Sequence, residues 1–239
     1  MTVDGSPESG RQLAFDLPLR PALGREDFLV TASNAQAVAL IDRWPDWLNP
    51  ALVLLGPPGC GKTHLAEAWR SRSGASVCRA DDLSVELVPH LLAKGALVIE
   101  DAPGEAPDAN ALFHLLNAAR EARGYVLMAS RLHPLAWNVQ LKDLISRFKA
   151  IPIALLAEPD DDLLRALLVK LFADRQLIVD EQVLSFMVTH MERSAAAARH
   201  LVAAIDLFSL ERKTAVTRPL AAQVMRHLEG AGPLFREPE

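Results

Sequence analysis

Residues 56–63, Gly-Pro-Pro-Gly-Cys-Gly-Lys-Thr, constrain this chain more than any other segment. Gly56, Gly59 and Gly61 let the backbone bend so that successive N–H groups face one point. The apolar run Ala51–Leu55 precedes them, and a helical pattern with Leu65, Ala66 and Trp69 follows. A buried strand, a glycine turn and a helix N-terminus, in that order, form an anion cradle to which the helix adds its positive end. The spacing is G-x-x-x-x-G-K-[ST], that of a phosphate-binding loop. Lys62 is placed to reach β- and γ-phosphates, and the Thr63 hydroxyl to ligate Mg²⁺. The expected cofactor is ADP or ATP with Mg²⁺, held by Gly56, Pro57, Pro58, Gly59, Cys60, Gly61, Lys62, Thr63 and His64.

The rest of the chain supplies the architecture that such a loop needs. Gly95–Ile99, Val126–Ala129 and Ile151–Leu155 are further short apolar runs, separated by helical patterns such as Leu112–Ala119. Runs of this kind read as a parallel sheet covered on both faces. Ser33 is expected to cap a helix reaching about Ile41. After Pro159 only helical periodicity remains, over Asp160–Ala173, Asp180–Thr189, Ala195–Leu210 and Pro219–Leu228. The expected fold is therefore α/β, a P-loop NTPase core with a parallel sheet flanked by helices, plus a small C-terminal all-α domain. The boundaries expected are a flexible tail over 1–24, the nucleotide-binding domain over 25–157, a helical lid over 158–230 and a C-terminal tail over 231–239.

Composition excludes several classes. The chain has 239 residues, 50% hydrophobic and 23% charged, which suits a folded domain rather than a disordered one. A net charge of −5 provides no global field for nucleic acid. Two cysteines, Cys60 and Cys78, make no disulfide framework and fit a reducing compartment. No apolar run has membrane-spanning length, and the N-terminus lacks a secretion-signal pattern, so a cytoplasmic protein is expected. His64, His114, His133 and His200 lack metal-ligand spacing. Trp44, Trp47, Trp69 and Trp137 read as core or seam residues rather than a base-stacking set. Cys60 lies in the loop, where N–H groups lower a thiol's pKa; a small residue filling the turn is the plainer reading.

Leu97-Val-Ile-Glu100-Asp101 ends the second strand in two carboxylates, the Walker B position. One holds the Mg²⁺ shell and its neighbour orients the attacking water. Here Glu comes first and Asp second, so the side chain best placed as base is one methylene shorter. Nucleotide binding with weak or no intrinsic hydrolysis is expected.

From Phe28 to about Leu228 the residues resemble the DnaA family of AAA+ proteins. Phe28-Leu-Val-Thr-Ala-Ser-Asn34-Ala-Gln-Ala37 is similar to the family's segment around adenine. Phe113-His114-x-x-Asn117 resembles its helix after Walker B. Val126-Leu-Met-Ala-Ser130 with His133-Pro134 resembles its sensor 1 strand and loop. The resemblance implies Ser130 as the sensor group, although Arg131 stands where the initiator often has an acid. Leu141-Lys-Asp-Leu-Ile-Ser146-Arg147-Phe148 resembles the box whose arginine enters a neighbour's nucleotide site, which makes Arg147 the implied finger in trans. A guanidinium is planar, multidentate and always charged, as that role requires. Arg199-His-Leu-Val-Ala-Ala-Ile205 resembles the sensor 2 helix, with Arg199 reaching the phosphates.

No counterpart of the initiator's C-terminal DNA-binding domain is expected in the segment from Glu158 onward, which reads as lid helices. It carries 10 Lys+Arg against 13 Asp+Glu and offers no reading helix. The tail instead carries Gln12-Leu13-Ala-Phe15-Asp-Leu17. As a bare pattern this either packs on the body or binds a partner. It resembles the peptide that docks apolar anchors into the bacterial sliding clamp, the polymerase β subunit, with Gln12 as polar anchor and Leu13, Phe15 and Leu17 as candidate anchors. The combination resembles a regulatory branch of the family that inactivates DnaA by stimulating hydrolysis of its ATP. DnaA and the clamp are then the implied partners, and a homodimer is compatible with the family. Two other readings stay open: an ATP-driven helicase loader, and an adaptor that blocks DnaA assembly without hydrolysis.

Overall fold

The structure, a computed structural model, describes residues 28–105 and 107–230. The segment Gln12–Leu17 expected to dock on the clamp lies outside the described residues, as do both expected tails. The described elements run α1 (Ala35–Asp42), β1 (Ala51–Leu55), α2 (Lys62–Ser73), β2 (Ser76–Arg79), α3 (Val88–Leu91), β3 (Ala96–Ala102), α4 (Ala109–Glu121) and β4 (Tyr125–Ser130). They continue with α5 (Lys142–Phe148), β5 (Ile153–Leu155), α6 (Asp161–Asp174), α7 (Glu181–His190), α8 (Ala195–Arg212) and α9 (Arg218–Gly230).

The five described strands form one parallel sheet in the order β2-β3-β4-β1-β5. The central strands are apolar along their length because both faces are covered. Along β1, Ala51 and Val53 face one layer, with Leu97, Ile99, Val126 and Met128, under α4 and α5. Leu52 and Leu54 face the other layer, with Ala96, Val98 and Leu127, under α1 and α2. The side-chain period of two thus divides each strand between two cores. Burying a Leu or Val in this way stabilises the fold by about 1.5–3 kcal/mol per side chain. Helices α6–α9 bury a separate cluster that includes Leu164, Leu168, Phe172, Met187, Val202, Ile205 and Val224.

Two local expectations are corrected. Asn34, not Ser33, precedes α1, and its side chain does not cap it. Asn34 instead accepts from the Thr31 amide at 3.0 Å and donates to the Leu29 carbonyl at 2.9 Å, while Ser33 meets the Thr31 hydroxyl. The amide side chain shapes the approach to the helix rather than its first turn. Strand β2 is an edge strand that the apolar pattern does not reveal, because among its residues only Cys78 is buried. Trp44, Trp47 and Trp69 gather with Tyr125 behind α2, where Trp47 and Trp69 stack at 5.2 Å. Trp137 packs edge-on against Phe148 at 4.9 Å. No helix among the described residues is long and apolar enough to cross a membrane.

Candidate nucleotide-binding site

The strands are parallel, so the C-terminal ends of β1, β3 and β4 lie along one edge of the sheet. Gly56 follows β1, Glu100 and Asp101 fall near the end of β3, and Ser130 closes β4. The Gly56 amide donates to the Ser130 carbonyl at 3.1 Å, tying the loop to the sheet edge. Gly59 and Gly61 have φ of +73° and +102°, a region open to glycine but not to most residues. Gly61 leads directly into α2.

A cleft of about 290 Å³ opens over this loop. Pro58, Gly59, Cys60, Gly61, Lys62, Thr63 and His64 line one side, with Asp101 and Arg131 beyond them. Phe28, Leu29 and Asn34 come from the segment before α1. Pro159, Leu163 and Leu167 come from α6 and its approach, and Ala195, Ala196 and Arg199 from the start of α8. The lining thus combines apolar side chains, Phe28, Leu29, Leu163 and Leu167, with the cations Lys62, Arg131 and Arg199, a mixture that suits a base and a phosphate chain. Phe28 stands edge-on to His64 at 5.2 Å and closes over the loop.

Cys60 packs beneath the loop, 5% exposed, in the core layer shared with Leu52, Leu54 and Leu65. Burial pushes its thiol up, against the pull of Lys62. Cys60 thus fills the space between the turn and the core. The Lys62 ammonium donates to the carbonyls of Gly56 at 2.7 Å and Pro57 at 2.8 Å. Burial also holds its pKa below the usual lysine value.

The two carboxylates come to share a recess beside the cleft through an irregularity absent from the sequence pattern. Ile99 pairs with Met128 but Ala102 pairs with Ser130, so β3 carries one extra residue at this point. The bulge falls on Glu100-Asp101, and Asp101 has φ +53°. Strict alternation would turn one carboxylate toward the opposite layer. With the bulge, both line a recess of about 50 Å³ together with Lys62, Thr63, Ser130 and Arg131. Thr63, Glu100 and Asp101 offer hard oxygen donors, a set that fits Mg²⁺. Arg79 on the neighbouring strand pairs with Asp101 at 3.5 Å.

Burial, and then the charge of Asp101, push the Glu100 pKa above the ordinary carboxylate value. A carboxyl raised on folding contributes stability fully below its unfolded pKa, and that contribution is lost as pH rises through the folded value. At neutral pH the charged Glu100 therefore weighs against the fold. Glu100→Gln is expected to stabilise the protein at pH 7 by about 0.5–2 kcal/mol. The gain should shrink below about pH 4, where the wild-type carboxyl is also neutral. Melting curves at the two pH values check this; an undiminished gain in acid would remove the burial argument.

Ser130 sits where the sensor group is expected, but its hydroxyl is fully engaged. It is 1% exposed, accepts from the Leu132 amide at 3.1 Å and the Trp137 indole at 3.3 Å, and lies 2.7 Å from the carbonyls of Ala102 and Leu132. Arg199 lines the cleft over the phosphate loop. Arg147 does not line it: its guanidinium lies 4.9 Å over the Phe113 ring, between α5 and α4. The contact between the start of α8 and the phosphate loop is invisible in the sequence. Ser194 caps α8 by accepting from the Ala197 amide at 3.0 Å, and the Ala195 amide donates to the Gly59 carbonyl at 3.0 Å. Arg193 reinforces this corner through the Pro159 carbonyl and Asp161.

No family model and no curated protein sequence matches the chain. Solved structures do. Domain III of the Thermotoga maritima replication initiation protein DnaA superposes with a TM-score of 0.70 at 20% identity, over 88% of this chain and 98% of that one. The fold is a DnaA-like AAA+ fold. AMPPCP-bound DnaA from Aquifex aeolicus gives a TM-score of 0.65 at 20% identity, over 82% of this chain and 70% of that one. A Thermotoga maritima RuvB variant gives 0.68 at 13% identity, over 86% and 72%. The AAA+ core and its C-terminal helical region are thus common to the three.

Proposed function

We propose that this chain is a regulatory inactivator of DnaA of the Hda type, a nucleotide-binding AAA+ protein that stimulates hydrolysis of DnaA-bound ATP. In this reading residues 25–157 form the nucleotide-binding unit and 158–230 its lid, and the cleft takes ADP or ATP with Mg²⁺. The glycine cradle, Lys62 and Arg199 receive the phosphates. Thr63, Glu100 and Asp101 hold Mg²⁺, which would neutralise charge on the phosphate oxygens. Phe28, Leu29 and Leu163 shelter the base. Intrinsic turnover is slow, because Asp101 is a short base and is held by Arg79.

The observation that carries the reading is the position of Arg147. It lies outside its own nucleotide cleft, half-buried on α5 and stacked on Phe113. An arginine so placed serves a neighbour's site better than its own. Gln12, Leu13, Phe15 and Leu17 recruit the protein to the DNA-loaded clamp, with the modest affinity typical of a peptide that orders on binding. The fold likeness to DnaA supports a like-with-like docking of the two AAA+ units.

The test is hydrolysis of DnaA-bound ATP in the presence of DNA-loaded clamp. Wild type is expected to accelerate it, and Gln12→Ala to lose at least about tenfold of the clamp-dependent part, the equivalent of one anchoring polar contact. No acceleration by wild type would sink the inactivator reading and favour a passive blocker. Helicase loading is less well supported, because all four tryptophans pack in the fold rather than presenting a stacking surface.

A further inference from the structure

The sensor position of this cleft holds a serine whose hydroxyl is already used. Ser130 accepts two N–H groups and lies within donating distance of two carbonyls, so it organises the loop after β4. The next residue is different. Arg131 is exposed and lines both the main cleft and the smaller recess. In that recess it faces Lys62, Thr63, Glu100 and Asp101. Among the described residues no hydrogen bond or ion pair holds its guanidinium.

We propose that Arg131 reads the terminal phosphate of a bound nucleoside triphosphate, in place of Ser130, the sensor group that the resemblance implies. The proposal rests on the nucleotide reading of the same cleft. Lys62 from α2, Arg131 from the β4–α5 loop and Arg199 from α8 approach one cavity from separate elements. Glu100 and Asp101 are the carboxylates facing the smaller recess. Three convergent cations in a chain of net charge −5 suit a polyanion. Lys62 and Arg131 line one recess, and an anion between them would offset the repulsion of the two cations. Thr63, Glu100 and Asp101 would hold Mg²⁺ at this recess, which Arg131 also lines. A guanidinium offers a terminal phosphate two parallel N–H donors, a geometry lysine lacks.

The experiment is equilibrium titration of the full chain with Mg·ATP and Mg·ADP, for wild type, Arg131→Ala and Arg131→Lys. Arg131→Ala is expected to weaken ATP binding about 10- to 100-fold, the weight of a charge-assisted contact, while ADP affinity changes less than about threefold. Arg131→Lys should recover part of the loss for ATP. Equal losses for both nucleotides, or no loss for either, would overturn the proposal while leaving nucleotide binding in place. Failure of wild type to bind either nucleotide would overturn the nucleotide reading and the proposal with it. The difference between ATP and ADP is the readout that a merely structural role would not move.

Discussion

Arg147→Ala is expected to abolish stimulated hydrolysis of DnaA-bound ATP while leaving the chain folded. An arginine finger supplied in trans is worth roughly 10³–10⁵ in rate in other NTPases, and the loss should approach that range. The structural cost should be small. The guanidinium sits on a partly exposed Phe113 ring, and such a contact contributes about 0.5–1 kcal/mol. The anchors of α5 are Leu144 and Phe148, which are untouched by the change. Arg147→Lys should restore the charge but little of the rate, because the fork geometry is lost. The measurement is single-turnover hydrolysis with clamp present, alongside a melting curve. Full inactivation by Arg147→Ala would mean that the protein blocks DnaA without chemistry.

The second large effect concerns Gly59. Gly59→Ala is expected to destabilise the protein by about 2–4 kcal/mol, combining a strained left-handed residue with a steric clash. A Cβ there would lie 2.4 Å from Cβ of Ser194 and 3.4 Å from its Cα. Ser194 is buried and fixes the start of α8, so neither side can move freely. For a protein of this size the melting temperature should fall by roughly 5–15 °C. Gly74 provides the control. Its φ is +71°, nearly that of Gly59, but a Cβ would meet nothing within 4 Å. Gly74→Ala therefore bears only the conformational part, about 1–2 kcal/mol. Urea titration of both variants isolates the contact between the phosphate loop and α8; equal losses would show that the contact contributes nothing.

The contrast between these two glycines shows what the sequence made legible. Residues 56–63 announce their own geometry, because loop, strand and helix are contiguous. Strands β1, β3 and β4 stand out as apolar runs because both faces are buried. Strand β2 does not, since an edge position leaves Val77 and Arg79 exposed. The β3 bulge leaves no local trace, although it decides that Glu100 and Asp101 share a recess. Ser194 and Ala195 meet Gly59 from more than a hundred residues away, and no periodicity encodes such a contact. Ser130 shows the opposite failure. The resemblance implies it as the sensor group, while its hydroxyl belongs to the loop it organises.

The strand order also dictates when the parts can assemble. Strand β1 lies between β4 and β5, both of which are synthesised after it. A nascent chain that has emerged as far as β3 can pair β2 with β3 but offers β1 no described neighbour. The contact of Gly59 with Ser194 comes later still. Non-local pairing of this kind slows folding and prolongs the exposure of apolar segments. The apolar Ala51–Leu55 strand must therefore wait, unpaired, while some seventy further residues leave the ribosome. The phosphate loop is made before the strands and the α8 turn that fix it in place.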